Sequence, residues 1–530
     1  PYGETDKGKP LVLKTVGFEN DQPGVYERVE DGWWGIASND QDRVAQESQG
    51  LIYDRTKEHL GASDEGVIML RAMIKESIDA AREGKDPIWT LRDPAHNQKV
   101  AFDASMQEIG PLTRLLTPFK SFKPFKSFGN KDPRIDNQSK IQNCRITSML
   151  SKEENDHFTR VGPKTPAGEM LRRYWHPIGF AAELKKRPLK RTILGEDLVL
   201  FRDDKDRYGL LQLRCSHRGT SLEFGHIEDG GLRCCYHGWL YDIEGKILEM
   251  PGEPADSTFW QRLRHPSYKV QELGGVLFAY LGPEPATLLP RWDVLVREDG
   301  VRARRARTVN CNFFQMIENS VDQNHLRWLH RTAATPTWDD GEINPQPFEY
   351  GVLNTYTRRV ADGKRYAHVN FFVMPTMNKT GNVEEGHPGE HQASSSGDVM
   401  RWRVPIDDSH TMHFTVEFGA IVDGKPVAKI MKDESEAGLV ESKRGMYRWD
   451  ESIGWFARGD QDRVAQESQG AIYDRSNEHL AYTDRGVILL RRLYKESIES
   501  VKNGGDPLGV VRDPAKNDLI RLMPYEERVS

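Results

Sequence analysis

The chain has 530 residues, a net charge of -6 and a pI near 6.3, room for three or four domains of about 150 residues each. This mild acidity gives no pull toward nucleic acid or an anionic membrane, and five cysteines are too few for a disulfide framework. No apolar run reaches the roughly 18 residues of a membrane-spanning helix, and no apolar leader opens the sequence, so a cytoplasmic location is expected.

The first element met in chain order is half of a repeat. Residues 40–97 (DQDRVAQESQG onward to RDPAHN) recur at 460–517 (DQDRVAQESQG onward to RDPAKN), at a constant offset of 420 and with 36 identities in 58 positions. A solenoid needs many adjacent units; here residues 1–117 read as a partial duplicate of the C-terminal part of a second, more complete module. Residues 118–148 (PFKSFKPFKSFGNKDP and onward) have neither a helical nor a strand period. An unstructured connector fits them better than a basic-aromatic membrane-surface segment, because that mixture alone does not gather its aromatic residues on one side of a helix.

The second module opens at Met149. Residues 152–176 predict short helices broken by GPKTP. From about 178 to 285, short β-rich runs such as DLVLFRD, YGLLQLRC and GVLFAYLG alternate with Gly and Asp turns, which predicts a small all-β domain. NFFQMIENSVDQNHLRWLH after 310 reads as helical. The alternation of Met412, Phe414, Val416 and Phe418 predicts a strand of an antiparallel sheet with one face buried. A last helix is expected at about 484–503, with Val487, Leu490, Tyr494, Ile498 and Val501 on one stripe, Asp484 at its start and Gly504–Gly505 at its end. The expected boundaries are 149–295 for the helices and β domain and 296–530 for an α+β domain.

Two constellations carry chemistry. Cys215-Ser216-His217 and, sixteen residues on, Cys234-Cys235-Tyr236-His237 each offer one thiolate and one imidazole. Cys₂His₂ also suits tetrahedral zinc, but a zinc finger pairs Cys with Cys and His with His. Mixed pairs match a Rieske centre, in which two His replace two Cys on one iron of a [2Fe–2S] cluster and raise its potential to about −150 to +300 mV. Glu318, Asp322, His325 and His330 form E-x3-D-x2-H-x4-H. The two histidines stand five positions apart, so a helix end or irregularity has to bring both rings to one metal. Two His and one carboxylate on one face of Fe(II) leave positions open for oxygen.

With these motifs in view, residues 149–530 resemble the α subunit of Rieske non-haem iron aromatic-ring oxygenases, in the group holding phthalate dioxygenase and dehydrodivanillate O-demethylase. MLSKEENDHFTRVGPKTPAGEMLRRYWHPIGF, RCSHRGTSLEFGHIEDGGLRCCYHGWLYD, ELGGVLFAYLGP, NSVDQNHLRWLH and QDRVAQESQG carry the likeness. The resemblance implies an α+β chain: an all-β Rieske domain with cluster ligands Cys215, His217, Cys234 and His237, then a helix-grip catalytic domain. It implies a mononuclear Fe(II) held by His325, His330 and a late carboxylate matching Asp462, with Asp460 the runner-up by chemistry alone. Asp322 is implied as the bridge between cluster and iron, hydrogen-bonded by a cluster histidine and by His325. In the family that bridge crosses between subunits, so a homotrimer or a multiple of it is expected.

The implied activity is that of a terminal oxygenase. It uses O2, and electrons from a separate NAD(P)H-dependent reductase, possibly through a ferredoxin, to hydroxylate or O-demethylate a carboxylated or methoxylated aromatic. No G-x-G-x-x-G follows a strand here, so the nucleotide is bound elsewhere. A Rieske ferredoxin-type electron carrier, or an inactive fusion whose leading copy blocks assembly, are the rival readings.

Departures and bystanders complete the reading. Cys235 stands where the family usually has Pro and is expected to point away from the cluster. Residues 331–450 are short for the group. Asp42 holds the place of Asp462 in the first copy, but no histidine pair precedes it, so no metal is expected there. Arg302, Arg304, Arg305 and Arg307 read as solvated arginines on a strand. His387 and His391 fall in a surface loop at 384–397, and Cys144 and Cys311 have no partner motif.

Overall fold

Turn chemistry sets the β architecture. Leu194-Gly195 (φ 50° and 73°) and Asp229-Gly230 (φ 50° and 76°) are two-residue hairpin turns with both residues left-handed, the geometry whose twist matches that of paired strands. The structure, a computed structural model, describes residues 38–88, 90, 150–330, 342–359, 365–384, 398–426 and 429–522. The expected connector 118–148 and the 384–397 loop histidines lie outside the described residues, as does Cys144. Two units separate, one of residues 1–62 with 148–530 and one of 63–147. The division falls at Ala62/Ser63, within the duplicated stretch.

The larger unit contains helix α1 (Ser38–Glu47). The smaller one holds α2 (Glu65–Arg82), whose Leu70, Ile74 and Ile78 are exposed and share an apolar groove with Met73, Ala81 and Ile88.

In the larger unit, α3 (Lys152–Thr159) opens with a complete capping box, Ser151 with Glu154, and α4 (Pro166–Leu171) is capped by Thr165. Between them lies the expected break at GPKTP. Residues 175–280 are all-β, as the turn-rich pattern predicts. A six-stranded sheet runs in the order 175–180, 276–280, 267–273, 208–212, 196–202, 189–193, and a four-stranded sheet takes 226–228, 231–233, 240–241 and 247–249. The small sheet has its own core of Phe201, Leu213, Leu232, Trp239, Tyr241 and Ile247.

The C-terminal half follows through α5 (Asp293–Val296), α6 (Phe313–Val321), α7 (His325–Trp328), α8 (Arg458–Ser468) and α9 (Arg485–Lys502). A nine-stranded sheet is ordered 342–348, 351–359, 365–373, 377–384, 398–405, 411–422, 300–309, 439–440, with 425–426 paired to 411–422. Helix α9 buries the predicted stripe: Val487, Leu490, Tyr494 and Val501 join the main core, and Ile498 packs against it.

Two expectations need correction. Strand Thr411–Val422 is covered on both faces: Phe414 and Val416 are fully buried, yet Thr415 and Glu417 are only 4% and 6% exposed. The arginines of strand Gly300–Val309 are engaged rather than solvated: Arg302 donates to the Val294 carbonyl, Arg304 pairs with Asp433 and Arg307 with Glu434.

Candidate metal centres

The two cluster loops are built alike. In the first, Cys215 N–H donates to the Thr220 carbonyl (2.9 Å) and Gly219 N–H to the Cys215 carbonyl (2.9 Å). In the second, Cys234 N–H donates to Trp239 (2.8 Å) and Gly238 N–H to Cys234 (3.1 Å). Gly219 and Gly238 adopt φ 79° and 75°, a left-handed turn that glycine makes without steric penalty. Each loop thereby carries its Cys and His inward to one place. Cys215, His217 and Cys234 are 1%, 1% and 3% exposed. The two rings meet edge to face at 4.5 Å between centroids, and His217 stacks on Trp239 at 4.7 Å. Cys215 Sγ contacts the Tyr241 hydroxyl at 3.0 Å. Burial, with Cys234 beside it, pushes the Cys215 thiol well above its ordinary value, so a bound metal is what would hold it as thiolate. Two buried thiols and two imidazoles fit an iron–sulfur cluster with mixed ligation. Cys235 is half-exposed.

The second centre is assembled from segments far apart in sequence. Helix α6, capped by Asn312, stops at Asp322, whose extended backbone (φ −86°, ψ 111°) breaks the helix before α7 begins at His325. That break is the irregularity the five-residue spacing demands. His325 Nε2 lies 3.6 Å and His330 Nε2 3.2 Å from Asp462 Oδ1, and the three ligand atoms fall within 4.8 Å of one another. The other ring nitrogens are occupied. His325 Nδ1 donates to the Asp322 carbonyl at 2.6 Å. His330 Nδ1 meets Gln461 Oε1 at 2.7 Å, and Gln461 Nε2 donates to the Phe456 carbonyl at 2.8 Å, which fixes the amide orientation. Both imidazoles are thus set as the tautomer with Nε2 free to ligate, the usual outer-shell arrangement of a metal-binding His. Burial alone would raise the Asp462 carboxyl, but His330, His325 and Arg403 outweigh it and hold it at about 2. The donor set fits a two-His, one-carboxylate iron site.

Other residues of the pattern fall elsewhere. Asp460, the runner-up, is bound to Arg448 (2.9 Å). The Asp322 carboxylate accepts from Asn324 N–H at 2.8 Å and stands 3.7 Å from His325 Nδ1; its carbonyl, not its carboxylate, receives the His325 proton. Glu318 is no part of the metal group. It takes Arg475 (2.6 Å) and Arg491 (2.6 Å), and Arg475 also reaches Asn155 Oδ1 (3.0 Å). This network clamps α6 to the segment following α8. Gln461 was not singled out in the sequence, and its only signal is adjacency to Asp462.

A further feature lies on the sheet. Arg401 and Arg403 alternate along one strand, and Arg403 pairs with His413 and Arg401 with Thr415 in register, which puts all four side chains on one face. Arg403 is 7% exposed. It bonds Asn378, its Nε has no hydrogen-bond partner, and among the described residues no carboxylate forms an ion pair with it.

The chain is similar to several known proteins. The Rieske [2Fe-2S] domain family matches residues 174–269. The 5,5'-dehydrodivanillate O-demethylase oxygenase subunit of Sphingobium sp. strain SYK-6 is 35% identical over 71% of this chain and 86% of its own length. The phenoxybenzoate dioxygenase subunit alpha of Ectopseudomonas oleovorans is 34% identical over 69% and 89%. The phthalate 4,5-dioxygenase oxygenase subunit of Pseudomonas putida is 29% identical over 68% and 89%. Among solved structures, a QL mutant of NdmA from Pseudomonas putida CBB5 with theobromine aligns at a TM-score of 0.50 and 20% identity, over 65% of this chain and 97% of its own. That likeness concerns the fold alone.

Proposed function

The chain belongs to the Rieske non-haem iron oxygenases, and from that premise we propose that it is the terminal oxygenase for an aromatic carboxylate. The observation that carries the substrate class is Arg403, a buried guanidinium with no acidic partner among the described residues, on the same sheet face as Arg401 and His413. Burial and neighbouring Arg401 pull its pKa down, to about 9, while Asp462 acts the other way. A guanidinium still stays charged at neutral pH, so the site favours an anion, and a planar fork matches a carboxylate. Burial likewise pulls His413 well below its ordinary value, with Arg403 and Arg401 adding to it, leaving a neutral imidazole in the same enclosure.

We assign Cys215, His217, Cys234 and His237 to the cluster and His325, His330 and Asp462 to the mononuclear iron. When bound, the two metal groups supply stepwise electron transfer and oxygen activation. The protein's own contribution is positional. The Asp322 carbonyl and Gln461 hold the ligand imidazoles in one tautomer, ionised Asp462 supplies the negative ligand, and Arg403 orients the ring by its carboxylate. Asp322 is also assigned as the bridge toward a cluster histidine. A separate cytoplasmic NAD(P)H-dependent reductase, directly or through a ferredoxin, is the electron source.

The test is product analysis with a surrogate reductase, comparing benzoate-type carboxylates with their methyl esters. Carboxylates are expected to turn over and esters not. Arg403→Met is expected to raise the KM for the carboxylate about 10- to 100-fold, the worth of a charge-assisted hydrogen bond, with iron content unchanged. An unaltered KM rules out Arg403 as the anchor. Asp322→Asn is expected to keep both metals and slow single-turnover product formation; a wild-type rate removes the bridge role. An electron carrier would hold only the two cluster irons per chain, so a third iron separates the readings.

A further inference from the structure

The residues with which the C-terminal copy closes the histidine–carboxylate site recur in the leading copy, 420 positions earlier. Gln461, which orients His330, and Asp462, which faces both rings, answer to Gln41 and Asp42. Arg475 and Arg491, which pair with Glu318, and Glu478, which pairs with Arg491, answer to Arg55, Arg71 and Glu58. In helix α9 a side chain on Gly486 would fall 2.3 Å from the Val321 carbonyl oxygen, so this seat requires glycine. Its counterpart is Gly66, where a side chain would meet nothing within 4 Å among the described residues. A helical glycine is destabilising relative to alanine, and no neighbour of Gly66 requires it there. It is a glycine that only the α9 seat would use.

The leading copy also has the right local shape. Asp54 and Asp474 cap equivalent 3-10 turns at φ −73°, ψ 95° and φ −81°, ψ 97°, and α2 matches α9 in length. The stripe that α9 buries against α4, α6 and the strands at 342–348 and 351–359 is exposed on α2 at Leu70, Ile74 and Ile78. Two differences favour the C-terminal copy. The Tyr494 hydroxyl donates to the Pro375 carbonyl, a bond its counterpart Ile74 cannot make, and Ala81 fills less space than Val501. The leading copy meanwhile rests on the cluster loops. There His59 N–H donates to the carbonyls of Ser216 (3.1 Å) and His217 (2.9 Å), and Thr220 Oγ1 donates to the Ala45 carbonyl (3.3 Å).

We propose that residues 41–81 are a spare ligand segment for the mononuclear iron: when residues 461–501 leave their seat, Asp42 takes the place of Asp462 beside His325 and His330. The inference rests on the assignment of His325, His330 and Asp462 to that iron. The 51 residues between positions 97 and 149 span at most roughly 170 Å, so the tether does not decide which copy arrives. A tethered segment acts at an effective concentration on the order of mM. In the unmodified chain Tyr494 and Val501 keep the C-terminal copy in the seat, and the leading copy enters only when that one fails. A chain damaged near its end then keeps an iron site.

The experiment loads full-length variants with Fe(II) and counts iron per chain, with the two cluster irons as the internal measure of folding. Asp462→Ala is expected to lose the third iron, because the C-terminal copy stays seated without its carboxylate. Adding Leu490→Asp, which puts a charge where a fully buried leucine sits, is expected to expel that copy and restore the third iron through Asp42. Adding Asp42→Ala to this pair is expected to remove it again. A merely structural role predicts the opposite, since a second core lesion would lower iron further. Leu490→Asp strains the fold, so a second route leaves the core untouched: Ile74→Tyr with Ala81→Val, in the Asp462→Ala chain, strengthens the leading copy and is expected to restore part of the third iron. Amide exchange at residues 66–82 is expected to slow in both restored chains, a reading that needs no metal. Failure of both routes to restore the third iron overturns the proposal, as does restored iron that survives Asp42→Ala. A third iron kept by the chain carrying only Asp42→Ala and Asp462→Ala removes the iron assignment, and the proposal with it.

Discussion

Residues 38–82 and 458–502 contain the two copies of one repeat, placed in two settings. Their helices follow the same plan: α1 answers to α8, and α2 and α9 are each 18 residues long, beginning after Asp64 and Asp484 at φ −93°, ψ 12° and φ −88°, ψ 13°. Backbone geometry is thus encoded within the segment. Everything else depends on the neighbours. Arg475 is fully buried against Glu318 and Asn155, while its twin Arg55 is more than half exposed beside Glu58. Leu490 is fully buried, and its twin Leu70 is 56% exposed. Asp462 faces two histidines, while Asp42 is exposed. A carboxylate facing two histidines, a buried ion pair and a core leucine are therefore properties of a place, not of a motif.

The sharpest contrast is expected at the aspartates. Asp462→Ala is expected to lose the mononuclear iron and more than ~100-fold of turnover, since altering even supporting groups of a metal site has effects of 10- to 100-fold. Asp42→Ala is expected to change neither, as read by iron per chain and product rate; iron loss there would join the two settings functionally. Next come the arginines. Removing Arg475 leaves Glu318 paired with Arg491 alone, a destabilisation of about 1.5–3 kcal/mol, the worth of hydrogen bonds to a charged group. Arg55→Ala is expected within about 0.5 kcal/mol. Urea midpoints measure both, and equal losses would falsify the contrast. Leu490→Ala is expected to destabilise by about 2–5 kcal/mol through lost burial and a cavity, while Leu70→Ala leaves the melting temperature unmoved. The smallest effect is one the copies should share: Asp474→Ala and Asp54→Ala each remove a side-chain cap of a 3-10 turn. Loss of amide protection should be similar at Ser476 and Thr56, and a large inequality would show that the cap depends on its surroundings after all.

The same contrast explains what the sequence could reveal. The candidate cluster residues Cys215, His217, Cys234 and His237 were legible because each loop is local, with Cys, His and turn glycine inside a few residues. His325 and His330 were legible as a pair for the same reason. Asp462 was reached only through family resemblance, because it joins that pair across 132 positions and no spacing rule spans such a gap. Glu318 was grouped with the metal residues because it shares their stretch, whereas its carboxylate meets arginines contributed from 475 and 491. Arg403 gave no signal: an arginine alternating with apolar residues reads as solvent-facing, and only a second covered sheet face reverses that. The α9 stripe was legible from its period, but the identical logic applied to α2 describes a stripe that stays exposed.

The contact between His59 and the carbonyls of Ser216 and His217 also has a consequence in time. A ribosome adds about 5–20 residues per second, and domains tend to fold as they emerge. Residues 40–62 leave the ribosome before the cluster loops at 215–238 exist. They are waiting when those loops close. Residues 460–482 are made last, and with them the carboxylate that completes the histidine pair. The early copy is therefore complete while the late one is still being synthesised. Order of synthesis therefore sets residues 40–62 ready for the loops at 215–238 before the C-terminal copy of the repeat exists.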